Sequence, residues 1–259
     1  MEFIEGLALV LCLIAIAGYL TGGVLFVKKK QKAAAVAAAV GWLSNLGIFI
    51  KNWVVNGYAP FASMYQVLSV LSLAFLVIYL VIAFYEKEKR WLAPYFCFGA
   101  AVPLVGTLFM DKQIRWSLMP ALQSGWFVPH VCSYVLSYAL AAVAFILTLI
   151  YYVRKDHPQK YEEAVYTVLR ISFPFMTIGL LFGALWADQV WGNFWQWDVK
   201  EIWSLTTALL YLCYFHARKH SKTKRFALLF TILGFAALIV TFLFVNVLPS
   251  AADSFHTYT

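Results

Sequence analysis

The chain has 259 residues, of which 63% are hydrophobic and 12% charged. A soluble domain is about half apolar and about a quarter charged, so this composition excludes an ordinary soluble fold. The net charge of +8 would suit a polyanion, but the placement of the basic residues described next explains it through membrane orientation, and no nucleic-acid partner is expected.

A membrane-spanning helix needs about 20 mostly apolar residues. Eight stretches are expected to span, at roughly residues 6–27, 33–50, 66–84, 91–109, 128–153, 171–187, 204–217 and 226–247, the second, sixth and seventh being short or weakly apolar by themselves. The first carries its basic cluster after the apolar run, so it reads as an uncleaved helix and not as a signal peptide. Between spans, one alternate set of loops holds Lys28, Lys29, Lys30 and Lys32, then Lys87, Lys89 and Arg90, then Arg154, Lys155, Lys160 and Arg170, and finally Arg218, Lys219, Lys222, Lys224 and Arg225. The opposite set holds only Lys51, Lys112, Arg115 and Lys200. Basic residues concentrate in cytoplasmic loops. The split predicts an all-α polytopic membrane protein of about eight transmembrane helices, a single integral domain over residues 1–259 with both termini on the outer (periplasmic) side. Cys12, Cys97, Cys132 and Cys213 all fall within these spans with no C-x-x-C spacing, and they read as small packing residues.

The outward segment between the sixth and seventh spans holds Trp186, Trp191, Trp195, Trp197 and Trp203, five of the ten tryptophans. An interfacial aromatic belt would spread tryptophan over many helix ends, whereas here a W-G-x-x-W-x-W-D run extends from Trp191 to Asp198. Clustered indoles suit a platform for a large flat apolar ligand such as a porphyrin, each aromatic pair adding roughly 0.5–1.5 kcal/mol beyond area burial. Gly192 permits a turn or a close backbone approach. Asp198, with Glu201 three residues on, forms a capping arrangement that starts the seventh helix and orients the segment.

Haem iron is commonly held by histidine, and topology separates the five histidines. His130 follows Pro129 at the outer mouth of the fifth span, and His256 lies in the outward tail; both share the side of the tryptophan segment. His157 and His220 lie in basic cytoplasmic loops and read as solvated. His216 stands about 27 Å along a helix begun after Asp198, near the inner boundary. There it is either a polar residue snorkelling toward Arg218 or an intramembrane functional group.

At these residues the chain resembles the CcsA (ResC) family of cytochrome c biogenesis proteins, the haem-handling subunits of the system II synthase. The run from Trp191 to Arg218, WGNFWQWDVKEIWSLTTALLYLCYFHAR, is similar to that family's WWD segment and the helix after it. PALQSGWFVPHV from Pro120 to Val131, FHTY from Phe255 to Tyr258 and GYAPFASMYQVL from Gly57 to Leu68 also fit. Val199 stands where the family usually has proline, at a helix-starting position that tolerates valine.

The resemblance implies that His130 and His256 are axial ligands of non-covalently held, b-type haem at the outer face, and that His216 binds haem inside the membrane. It also implies a CcsB (ResB) partner subunit, an apocytochrome c substrate, thiol-reducing proteins outside the membrane, and a bacterial inner or thylakoid-type membrane as location. The chain would export haem and present it to the C-x-x-C-H thiols of the apocytochrome, as the haem-handling part of a haem lyase that acts with its partner. Lys112, Arg115 and Lys200 are candidate propionate partners by sidedness. The alternative within the same superfamily is a haem chaperone like CcmC, with six spans and no counterpart of His216. A dihaem cytochrome b would need paired histidines on facing helices, and a cofactor-free permease leaves the tryptophan cluster unexplained.

Overall fold

The computed structural model describes residues 2–110, 118–154 and 156–244. Eight α-helices run through them: α1 Glu2–Val27, α2 Gln31–Asn56, α3 Met64–Tyr85, α4 Ala93–Thr107, α5 Phe127–Val153, α6 Pro158–Trp191, α7 Val199–Lys219 and α8 Ala227–Ile239, the last continued by a π-helical turn over Val240–Phe244. There is no strand among the described residues. The exposed side chains include Val54, Leu80, Phe84, Val102 and Val153, an apolar exterior suited to lipid and not to water. The protein is an all-α, multi-pass membrane protein.

Among the described residues six helices are long and apolar enough to cross a membrane: the spans Gly6–Val27, Gln31–Asn56, Met64–Tyr85, Phe127–Val153, Pro158–Trp191 and Lys224–Leu243. The other two expected spans form as α4 and α7. The former has 15 residues after a 3-10 entry over Lys87–Leu92, and the latter carries polar residues at both ends. Two helices overrun the expected apolar stretches, α2 to Asn56 and α6 to Trp191, because glycines in the left-handed conformation, Gly57 and Gly192, set where each stops.

The chain divides into two compact units, Met1–Gln123 and Ser124–Thr259. In the first, α1 and α2 approach closely along small residues. A Cβ on Gly18 would lie 2.7 Å from Gly41 Cα and 2.8 Å from the Ala37 carbonyl oxygen, and Gly22, four residues on, faces Ala38 and Ala34. This is small-residue packing of the kind that lets membrane helices touch backbone to backbone. Because the obstructing atoms are main chain, Gly18→Val is expected to destabilise the protein by ~1–3 kcal/mol, read as a lower thermal midpoint in detergent; an unchanged midpoint would contradict this packing. Cys12 and Cys97 are buried in this unit, as expected of packing cysteines.

In the second unit α5 and α6 pack along Ser137 and Ser172, whose hydroxyls lie 3.0 Å apart, and α8 stacks Phe235 on Phe145 of α5 at 4.4 Å. One end is tied by Glu162, which accepts from Arg218 and lies 3.3 Å from Lys224, while the Arg218 guanidinium sits 4.5 Å over the Tyr166 ring. At the opposite end Ser124 donates to Gln189 at 2.6 Å, joining the approach to α5 to the last turns of α6. Cys213 departs from the packing expectation: it is exposed on α7.

Candidate functional site: a histidine seated on glycines beneath a tryptophan turn

His130 and Tyr134 lie one turn apart on α5, and Gly183 and Gly179 one turn apart on α6. The helices bring the two pairs together in antiparallel order. A Cβ on Gly183 would lie 2.8 Å from His130 Cε1 and 2.8 Å from Nδ1, and one on Gly179 would lie 3.0 Å from the Tyr134 ring. The imidazole therefore occupies space that any other residue at position 183 would fill. His130 Nδ1–H donates to the Gly179 carbonyl at 2.9 Å. A carbonyl only accepts, so Nδ1 carries a proton, and in the neutral ring the lone pair is then on Nε2, the tautomer suited to metal ligation. Trp186 of α6 lies against the same ring, centroids 5.6 Å apart and planes 32° apart, with Tyr134 edge-on at 5.1 Å.

Trp186 is 3% exposed and touches Phe127 at 5.3 Å and Trp191 at 5.1 Å. The tryptophan segment is thus divided. Positions 186–191, expected to be part of a long loop, are the last turns of α6, because Gly192 at φ 76° ends the helix beyond them and its N–H bonds to the Asp188 carbonyl. Trp186 and Trp191 form a wall behind His130. Only residues 192–198 lie between helices, and Trp203 is on α7, half-buried.

That seven-residue turn is held from α7. The Asp198 side chain accepts from the Lys200 N–H at 2.7 Å, and Glu201 Oε2 accepts from the N–H groups of Gln196 at 2.9 Å and Asp198 at 3.1 Å. The Asp198–Glu201 capping box expected from the sequence is present. Between the two N–H groups bound by Glu201, Trp197 adopts φ 58°, a left-handed conformation that a bulky residue takes only when its surroundings impose it. Its indole is 67% exposed, and the Phe194 ring 56%. Trp195 packs edge-on to Trp197 at 5.8 Å, and its buried indole N–H meets no acceptor among the described residues. Burial also pulls the Lys200 ammonium below its ordinary pKa, an effect that the Asp198 carboxylate partly offsets.

His216 lies in the last turns of α7 on its exposed side, in line with Ile202, Leu209, Leu212 and Cys213. Its Nδ1–H donates to the Leu212 carbonyl at 2.9 Å, which again leaves Nε2 as the basic nitrogen. His256, Lys112 and Arg115 lie outside the described residues. Gly179, Gly183 and the strain at Trp197 are parts of the site that the sequence reading missed. The four-residue glycine spacing on α6 was the signal available for the first two, and nothing local marks the third.

The residues present fit a flat, iron-bearing ligand. They supply a histidine whose Nδ1–H is held by a carbonyl, exposed aromatic faces, an indole donor lacking an acceptor among the described residues and the part-buried Lys200 ammonium. Residues 57–252 match the model of a family described as cytochrome C assembly protein. His130, the tryptophan turn and His216 lie inside that stretch, and His256 lies beyond it. The chain is 28% identical to the cytochrome c biogenesis protein CcsA of Trieres chinensis over 88% of each chain. It is 28% identical to CcsA of Manihot esculenta over 82% of each. With CcsA of Chlamydomonas reinhardtii it shares 29% identity over 72% of its own length and 58% of that protein's.

Proposed function

The chain belongs to the cytochrome C assembly protein family and acts in cytochrome c biogenesis, and from that premise we propose that it carries haem through the membrane and presents it for covalent attachment to apocytochrome c. The observation that carries this reading is the seating of His130. Its Nδ1–H is held by the Gly179 carbonyl and its ring backed by Trp186, next to a helix junction whose exposed Trp197 and Phe194 rings suit a porphyrin face.

Haem is here the substrate, b-type and not covalently held by this chain. His130 offers Nε2 to the iron on one side, and His256 is proposed for the other. Trp197 and Phe194 offer exposed faces to the macrocycle. Lys200 and the Trp195 N–H are suited to a propionate, which would add a second carboxylate to the Lys200 ammonium beside Asp198 and give the indole donor an acceptor. Attachment adds each cysteine S–H of a C-x-x-C-H motif across a vinyl C=C, so the thioether forms without net oxidation and this chain contributes position rather than a proton donor or nucleophile. The thiols must arrive reduced, hence the expected thiol-reducing proteins outside the membrane.

His216 is proposed to bind haem on its way across. An exposed imidazole among apolar side chains on a membrane helix calls for a partner, and a CcsB-type subunit covering that stripe of α7 would supply one. Delivery to a carrier without catalysing attachment, as a CcmC-like chaperone does, is the alternative. His216 favours the synthase reading over a chaperone of that kind, which is expected to have no counterpart of it. A bacterial inner or thylakoid-type membrane is the proposed location.

The test is the reduced absorption spectrum of the protein purified with its partner. His130→Gly and His256→Gly are expected to shift the spectrum or lower haem retention, and His216→Gly to lose haem that added imidazole restores. An unchanged spectrum in both outer-face variants would refute the ligand assignment. Coexpression with an apocytochrome, with and without the partner, separates attachment from delivery.

A further inference from the structure

The exposed stripe of α7 ends on a cation. Thr207, Ala208, Tyr211, Tyr214 and Ala217 are buried on one side of this helix, and Ile202, Leu209, Leu212, Cys213, His216 and Lys219 are exposed on the other. His216 and Lys219 stand three residues apart, neighbours on a helix surface at about 4.5 Å along the axis. The last turn is capped from beyond it. The Thr223 hydroxyl donates to the Ala217 carbonyl at 2.9 Å, and the His220 carbonyl accepts from the N–H groups of Thr223 at 3.1 Å and Lys224 at 2.9 Å. Lys219 is therefore held on the helix, next to His216, and not in a loose loop.

The charge of that turn is not balanced within its own hairpin. No Asp or Glu occurs from residue 202 to residue 252. Glu162 of α6 serves Arg218 and Lys224, and Arg218 turns away from the stripe to lie over the Tyr166 ring. Lys219 meets no carboxylate among the described residues. Basic residues at cytoplasmic helix ends set topology, but Lys222, Lys224 and Arg225 meet that need from any position in the turn. Topology does not ask for an ammonium in line with an exposed histidine of a membrane helix.

We propose that Lys219 binds a propionate of the haem held on His216, so that this stripe of α7 takes haem with its carboxylate edge toward the inner boundary. The inference rests on the reading of His216 as an intramembrane haem ligand. Nδ1 of His216 is engaged by the Leu212 carbonyl at 2.9 Å, which leaves Nε2 for the iron. Haem is apolar over most of its ring and anionic along one edge. A carboxylate deep in hydrocarbon is costly, whereas a lysine stem carries its ammonium to the boundary over apolar surface. Iron on His216 and a carboxylate on Lys219 satisfy both parts of the ligand. The apolar residues Leu209, Leu212 and Cys213 lie on the outward side of His216, where the uncharged edge belongs. The vinyl groups lie away from the propionates, so haem would cross with its vinyl edge leading, toward the face where the thioethers form.

The test is an absorbance titration with haem and with haem dimethyl ester, which lacks the free carboxylates. It uses the full chain with its partner, after bound haem is removed, in a His130→Gly, His256→Gly background that leaves His216 as the haem ligand. Lys219→Gln is expected to weaken haem binding about tenfold, the loss of one charge-assisted hydrogen bond, and to leave binding of the ester unchanged. Lys219→Arg keeps the charge and should bind haem nearly as the parent does. Lys222→Gln, exposed in the following turn, should match the parent. Equal losses for haem and ester in Lys219→Gln, or no loss for either, would overturn the proposal. So would an equal loss of haem in Lys222→Gln, which marks a general positive field and not a seat for one carboxylate. If His216→Gly in the same background leaves haem binding unchanged, the intramembrane site is absent and this proposal falls with it. Haem that depends on His216 but not on Lys219 overturns the proposal and leaves the haem reading standing.

Discussion

Gly183→Ala is expected to lower haem retention about a hundredfold while leaving the protein folded. The added methyl group would meet His130 Cε1 and Nδ1 at 2.8 Å each, closer than real Cβ atoms come, so the ring must move. Trp186 lies against it at 5.6 Å and Tyr134 at 5.1 Å, which makes the cheapest displacement one along the ring plane that breaks the bond to the Gly179 carbonyl. Overpacking of this kind costs ~1–3 kcal/mol, and the lost hydrogen bond adds ~0.5–1.5 kcal/mol. If the iron bond requires the original position, a total near ~3 kcal/mol is a factor of about a hundred in affinity. Haem per protein and the reduced spectrum are the measurements. The His130→Gly, Gly183→Ala double variant should be no worse than His130→Gly alone, since the methyl group acts only through the ring. Additive losses would show that Gly183 matters for another reason.

That site shows where the sequence was legible and where it was not. The helices were visible as apolar stretches because lipid imposes length and hydrophobicity together. The turn at Gly192 and the Asp198–Glu201 cap were visible because they are local devices with fixed spacing. The end of α6 was not: Ala187-Asp188-Gln189-Val190-Trp191 is too polar for a span, yet it continues the helix until Gly192 stops it. Apolarity marks the membrane and not the helix. The seat of His130 depends on which turns of α5 and α6 come level, a tertiary fact, and the spacing of Gly179 and Gly183 acquires meaning only once His130 and Tyr134 are known to lie opposite. Trp197 is further from reach still. Its left-handed backbone results from a carboxylate four residues later binding the N–H groups on both sides of it.

The same arrangement makes Glu201 the residue whose loss should most clearly separate stability from ligand binding. Its Oε2 atom gathers the N–H groups of Gln196 and Asp198 and so holds Trp197 in a conformation that costs ~1–2 kcal/mol for a residue with a Cβ. In Glu201→Ala the two hydrogen bonds disappear, but the strain they impose disappears with them, and Asp198 still caps α7 through the Lys200 N–H. The net change in stability should therefore be small, about 1 kcal/mol. The turn, however, loses what fixes it, and the exposed indole of Trp197 no longer has one orientation. Haem retention is expected to fall roughly tenfold, the equivalent of ~1.4 kcal/mol, with a thermal midpoint within a few degrees of wild type. Glu201→Gln keeps an acceptor without the charge and should fall between the two. Equal losses of midpoint and haem would mean that Glu201 serves the helix alone. Full haem retention in Glu201→Ala would mean that the turn needs no clamp, and the tryptophan face would then owe its shape to packing rather than to the cap.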